Sequence, residues 1–133
     1  MNDHLTIGVL GEQCAASYLK YLDFSIIDRN VRTKFGELDI VAKEPSGSLV
    51  IVEVKTLVCR GSISPEDNLT LTKFRKLSRM ANFYANQHPD LIDELAGWRI
   101  DLLAIVLDPP LDSQTYQYGK INFAVSHYKN ISL

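Results

Sequence analysis
Gly36-Glu37-Leu38-Asp39-Ile40-Val41-Ala42-Lys43, a turn at Pro45-Ser46-Gly47-Ser48, and then Leu49-Val50-Ile51-Val52-Glu53-Val54-Lys55-Thr56 make up the stretch that decides the fold. Runs of Val, Ile and Leu on either side of a Pro/Ser/Gly turn read as two strands of a hairpin, each buried on both faces. Ionised side chains are costly in such strands unless they meet a metal, one another or a substrate, so Asp39, Glu53 and Lys55 stand out. Period-two alternation sets Glu37, Asp39 and Val41 on one face and Leu38, Ile40 and Ala42 on the other. In the second strand Ile51, Glu53 and Lys55 share a face opposite Val50, Val52 and Val54. Asp39 can join Glu53 only across a loop with an odd number of residues, or through a bulge. A three-residue loop, Ser46-Gly47-Ser48, with Gly47 at positive φ, meets that condition. It predicts Asp39 close to Lys55 and diagonal to Glu53.

Outward from the hairpin, Ile7, Leu10, Cys14, Tyr18 and Leu22 recur at three or four, with Ala15 and Leu19 widening the stripe, so 6–22 reads as an amphipathic helix. Residues 24–29 read as a short strand and 30–35 as a polar turn. After a loop, Ser64-Pro65-Glu66-Asp67 resembles a helix start, with Ser64 as cap and acids facing the dipole. That predicts a helix over 66–86 with Thr70, Phe74, Leu77, Ala81 and Tyr84 buried, stopped by His88-Pro89. A helical turn over 91–95, a strong strand at 98–107 stopped by Asp108-Pro109-Pro110, and a weaker strand at 120–128 complete the order. Helix, three strands, helix, strand, strand implies an α/β fold, a mixed sheet with helices packed on it, in which the strand-helix-strand crossover is parallel and right-handed.

The chain has 133 residues, 46% hydrophobic and 23% charged, the size at which one domain over 1–133 buries a sizeable core. Its formal charge of -2 means that any nucleic-acid partner must be met by a local patch rather than by the field of the whole molecule. No stretch approaches the apolar length of a membrane span and the first residues lack a leader pattern, so the reading is a soluble, cytoplasmic protein without membrane contact. Cys14 and Cys59 form no close pair and read as buried reduced thiols. His4, His88 and His127 have no ligand spacing and read as surface or capping residues. No nucleophile elbow, Cys/His constellation or phosphate-binding glycine loop is present, which disfavours serine and cysteine hydrolases and nucleotide enzymes.

Mg²⁺ is commonly held by one or two carboxylates plus water and phosphate oxygens. Asp39 and Glu53 supply such a pair, the Val54 carbonyl lies between them, and Lys55 can neutralise charge on a reacting phosphate. Read from the residues alone, this metal site stands level with a structural Glu53–Lys55 pair beside a solvated Asp39. The element order, with Asp39, thirteen intervening residues and Glu53-Val54-Lys55, resembles the PD-(D/E)XK nuclease superfamily. More narrowly, the chain is similar to the bacterial YraN-like family, related to archaeal Holliday junction resolvases. The matching pieces are Gly11-Glu12 with Ala15, Arg29-Asn30 with Arg32, Gly36-Glu37-Leu38-Asp39, Val52-Glu53-Val54-Lys55, Lys73, and Arg99-Ile100-Asp101.

That resemblance implies a restriction-endonuclease-like core and a Mg²⁺- or Mn²⁺-dependent endonuclease acting on DNA, with branched structures as the implied substrate. Asp39, Glu53 and Val54 would hold the metal, Lys55 would be the catalytic cation and Glu12 an additional metal-shell acid, or else a surface acid. Relatives often carry an arginine two residues beyond the motif lysine; here that position is Leu57, with Arg60 as a substitute from the loop. Residues 68–89 contain no acid yet carry Lys73, Arg75, Lys76 and Arg79, the clearest basic patch, read either as phosphate contacts or as a solvated helix face. Lys73, on the side of Phe74, is a phosphate contact or a snorkelling stem. Arg29, Arg32 and Lys34 make a second positive rim. Phe83 points away from the core stripe, either to stack on a base or a protein partner or to cover another part of the fold. Arg99 and Asp101 share a strand face as a structural ion pair. Symmetric DNA substrates are compatible with a homodimer, which no residue of the sequence specifies. The competing reading is a noncatalytic nucleic-acid-binding or assembly module that retains a nuclease fold.

Overall fold
A computed structural model describes residues 3–58 and 70–132. The elements are α1 (Asp3–Tyr21), β1 (Ser25–Thr33), β2 (Gly36–Lys43), β3 (Leu49–Val58), α2 (Leu71–Gln87), a 3-10 turn (Pro89–Leu91), β4 (Trp98–Leu107), β5 (Tyr116–Tyr118) and β6 (Ile121–Tyr128). The strands form one mixed sheet in the order β1-β2-β3-β4-β6-β5. Among the described strands only β3 and β4 run parallel, across the crossover that contains α2. This is the α/β order expected, consistent with a restriction-endonuclease-like core, plus the short strand β5, which the sequence reading missed.

One helix covers each face. Cys14, Ala15, Tyr18 and Leu19 of α1 pack on Ile40, Ala42, Val50, Val52, Val54, Leu103 and Ile105. Leu77, Met80, Ala81 and Tyr84 of α2 pack on Leu38, Val41, Leu49, Ile51 and Ile100. β3 and β4 need an unbroken apolar run because both their faces lie under helices, and each fully buried Val, Ile or Leu adds about 1.5–3 kcal/mol of transfer free energy.

The hairpin closes differently from expectation. Lys43 pairs with Leu49 and Ile40 with Val52, while Glu44 N donates to Ser48 O and Gly47 N to Glu44 O. The three-residue loop is therefore Pro45-Ser46-Gly47, not Ser46-Gly47-Ser48. Its odd length stands, but the register moves by one pair, and the next step beyond Ile40–Val52 sets Asp39 across from Glu53 rather than Lys55. The cause is tertiary. Ser48 Oγ donates to Ala96 O at 3.0 Å, and Arg99 grips Glu44 with two hydrogen bonds of 2.8 Å. Both ends of the turn are thus tied to the start of β4.

Side-chain parity also breaks at Asp39. Ile40 and Ala42 face α1, yet Leu38 packs with the α2 cluster, so the expected common face for Leu38, Ile40 and Ala42 does not hold. Across from the break, Asn30 in β1 has φ +53, a left-handed conformation that Asn tolerates better than most residues. A strand cannot carry its alternation through such a residue.

α2 is capped by Thr70, whose Oγ1 accepts from Lys73 N at 3.2 Å. Thr70 is exposed and does not belong to the buried stripe, which is instead Phe74, Leu77, Met80, Ala81, Tyr84 and Ala85. The Ser64-Pro65 cap, Glu66 and Cys59 lie outside the described residues. His88 does cap the helix: its backbone N–H reaches Ala85 O, and its ring stacks on Tyr84. The helical turn expected over 91–95 is instead the 3-10 turn Pro89–Leu91, followed by a bend in which Asp93 accepts from Leu95 N and Ala96 N.

His127 is neither a surface nor a capping residue. Phe123, Val125 and His127 alternate along β6, and the side chain is only 8% exposed. His127 Nε2 lies 2.8 Å from Asp101 Oδ2, and its Nδ1 3.0 Å from Tyr18 Oη. Asp101, fully buried, also accepts from Arg99 Nε and Asn130 N at 2.9 Å each. Burial pushes the Asp101 carboxyl up, but these donors outweigh it and hold it below the usual carboxylate range. The expected Arg99–Asp101 ion pair is therefore one link in a chain from Tyr18 to Glu44. Among the described residues no helix is long and apolar enough to cross a membrane.

Candidate functional site
Where the β2–β3 ladder ends, a side chain takes over from the backbone. Val54 N donates to Asp39 Oδ2 at 2.8 Å, so the carboxylate satisfies an N–H that a straight β2 would have met with a carbonyl. The same carboxylate is hydrogen-bonded to Glu53. Burial, that hydrogen bond and the charge of Asp39 push the Glu53 carboxyl far above the usual carboxylate range, against the opposing pull of Lys55 and of the Val54 N–H. Neighbouring carboxylates repel each other when both are charged, and a cation held between them relieves that repulsion.

Glu12 arrives from α1. Gly11 allows it: an added Cβ there would run into Oγ1, Cγ2 and Cβ of Thr56, so only glycine lets the helix lie this close to β3. Burial raises the Glu12 carboxyl, as do the charges of Asp39 and Glu37, against a lowering by Arg29. With its amide oriented to satisfy both partners, Asn30 Nδ2 donates to Glu12 Oε1 at 2.7 Å and to Glu37 Oε1 at 3.2 Å. Asn30 thus both breaks the strand and ties two acids together. Its role was not drawn from the sequence, although Asn inside an otherwise extended segment is a recognisable signal for positive φ.

Asp39 and Glu53 are the pair that meets, with Lys55 close enough for its charge to be felt by Glu53. Among the described residues no three His, Cys, Asp or Glu side chains converge as a ready cage. The donor set nevertheless fits a hard divalent ion: two neighbouring carboxylates beside the Val54 carbonyl leave the remaining positions to water and phosphate oxygens.

The basic residues lie toward the other face. Lys73, Arg75, Lys76 and Arg79 are all exposed, so Lys73 does not run along the core stripe as its spacing had placed it. Lys76 reaches over Gly36 at the β1–β2 turn, three residues from Asp39. Lys34 stands 5.2 Å from the Phe35 ring and 5.3 Å from Phe83, with Arg79 5.6 Å from Phe35. Phe83 packs edge-on against Phe35 at 6.0 Å, which makes it a support for this cation cluster within the fold. Arg32 is almost fully exposed, 3.9 Å from Glu37. Leu57 is half-buried, and Arg60 lies outside the described residues.

The sequence profile described as "Uncharacterised protein family UPF0102" matches residues 11–105. A UPF0102 protein of Geotalea daltonii is 40% identical over 105 residues, 79% of this chain and 80% of the relative. One of Chloroflexus aurantiacus is 37% identical over 99 residues, covering 74% and 78% of the two chains. One of Persephonella marina is 42% identical over 77 residues, covering 58% and 66%. The matched span includes α1 from Gly11, the hairpin with Asp39 and Glu53, α2 and most of β4.

Proposed function
The chain belongs to the uncharacterised protein family UPF0102, and we propose that it is a Mg²⁺- or Mn²⁺-dependent endonuclease that hydrolyses DNA phosphodiester bonds. The observation that carries this reading is the Asp39–Glu53 pair at the point where the β2–β3 ladder stops, with Val54 N bound to one carboxylate. A structural pairing of Glu53 with Lys55 alone would not need a second acid driven against the first.

Asp39, Glu53 and the Val54 carbonyl would hold the divalent ion, which when bound polarises a phosphoryl oxygen and eases deprotonation of water. Lys55 supplies N–H donors and positive charge to the phosphate oxygens as negative charge builds on them during in-line displacement. Asn30 keeps Glu12 beside Asp39, where that acid adds to the local negative charge and accepts a proton from water. Arg75, Lys76, Arg79, Lys73 and Arg32 lie along the substrate path and meet backbone phosphates. A branched DNA, a symmetric homodimer and a cytoplasmic setting belong to the same reading, through resemblance to the junction-resolving relatives of the superfamily.

The test is cleavage of labelled linear, flapped and four-way-junction DNA in Mg²⁺ or Mn²⁺ by the wild type and by Glu53→Ala prepared identically. Cutting by the wild type alone is expected. Equal or absent cutting by both would replace the nuclease with the second reading, a noncatalytic DNA-binding module, which Leu57 favours by standing where relatives often carry an arginine.

A further inference from the structure
On the α1 face, beside the candidate site, lies a groove of about 300 Å³ lined by Gln13, Ala16, Ser17, Lys20, Arg29 and Tyr118. The α1 contributors are spaced i, i+3, i+4 and i+7, one stripe of the helix. β1 and β5, which supply Arg29 and Tyr118, are the two opposite edges of the sheet, so the groove sits where both edges curl toward α1. Among the described residues every lining side chain except Ala16 carries an N–H or O–H donor, two of them bear fixed positive charge, and none is a carboxylate. In a chain of net charge -2 that is a local inversion of sign.

Both sides of the groove touch the candidate site through the chain itself. Gln13 follows Glu12, and Arg29 precedes Asn30, whose amide bridges Glu12 and Glu37. Arg29 is near enough to Glu12 for its charge to act on that carboxyl. An anion therefore finds converging donors one residue away from acids that would repel it unless they held a cation. A phosphodiester backbone suits this alternation, because its charges recur at regular spacing along one strand.

We infer that this groove binds a backbone phosphate of the DNA strand neighbouring the phosphate presented to Asp39 and Glu53, with Lys20 and Arg29 as its charged donors and Gln13, Ser17 and Tyr118 as its neutral ones. This rests on the nuclease reading for its choice of ligand, and it places DNA on the α1 face as well as along α2. The groove residues position substrate and take no part in the chemistry.

The experiment measures binding of a labelled four-way junction and a linear duplex in Ca²⁺ buffer across a salt series, with cleavage in Mn²⁺ read separately. Lys20→Gln/Arg29→Gln is compared with Lys120→Gln/Lys129→Gln, which removes the same charge elsewhere, and with Lys20→Glu, whose exposed position leaves folding intact; thermal melts verify each. The groove variants are expected to weaken binding about tenfold or more, and the double variant to make the slope of log K against log salt shallower by about 0.9 per lost contact. The control pair should stay within about twofold. Groove variants that bind like the control pair, or a wild type that binds neither DNA, would overturn the inference. If the groove variants lose affinity while wild type and Glu53→Ala cut alike, the phosphate site stands and the nuclease reading falls.

Discussion
Asp39 serves both strand and site, since its carboxylate ends the β2–β3 ladder by taking Val54 N and crowds Glu53 in doing so. Replacing Glu53 with glutamine separates these roles. The amide can still hydrogen-bond to Asp39 and brings no second charge, so the melting temperature of Glu53→Gln in metal-free buffer should equal or exceed that of wild type. Turnover on DNA should fall about a thousandfold, as expected when several kcal/mol of transition-state stabilisation is lost. A melt lowered together with turnover would make Glu53 a structural residue. A different pH response belongs to Glu44, which the two Arg99 hydrogen bonds, first, and Ser46 hold at about 2, below its ordinary 4.5. A carboxylate held below its unfolded value contributes stability above that value and loses it as pH falls through the folded one. Wild-type stability to denaturant should therefore drop between about pH 4.5 and pH 2, with Asp101 acting in the same direction. Glu44→Gln should start lower at pH 7 and change less over that window. At this scale Asp39, Glu53 and Lys55 were legible because charged residues stand out in apolar strands. His127 was legible too, through its alternation with Phe123 and Val125, but only if β6 were read for parity rather than for ligand spacing.

Among the elements, α1 is placed by its closest contact with β3. Gly11→Ala puts a methyl group against Thr56, a β-branched residue with little rotamer freedom, and should cost about 1–3 kcal/mol of unfolding free energy. Thr56→Ala should restore part of that loss in the double variant, which a double-mutant cycle by chemical denaturation reads directly. Independent, additive losses would mean that helix and strand do not meet there. The same shift of α1 carries Glu12 away from Asn30, so turnover should fall more than stability alone accounts for. The element order was readable because β3 and β4 are long runs of branched residues and α1 carries apolar residues at three- and four-residue spacing. The register of the hairpin was not. Loops at 45–47 and 46–48 are both odd in length and both contain Gly47, and the choice between them is made by Ala96 and Arg99, some fifty residues along the chain.

For the whole molecule, a net charge of -2 denies it a long-range pull on DNA, so binding must depend on local cations and weaken steeply with salt. Neutralising Arg75 and Arg79 together should make the slope of log K against log salt shallower by about 1.8, two phosphate contacts' worth on duplex DNA, without changing the melting temperature. An unchanged slope in an electrophoretic titration would return these arginines to the role of a solvated helix face. The sequence by itself determined the α/β order, the two-sided burial of the central strands, the family and the identity of the charged residues that burial makes conspicuous, because these follow from local periodicity and transfer free energy. Only the tertiary structure decided that Asp39 faces Glu53, that Asn30 joins Glu12 to Glu37, that His127 meets Asp101 rather than any other partner, and that Lys20 and Arg29 share a groove. Each of these depends on a contact between residues distant in the chain, or on one left-handed residue that resets a strand's faces, and neither leaves a repeating pattern in the sequence.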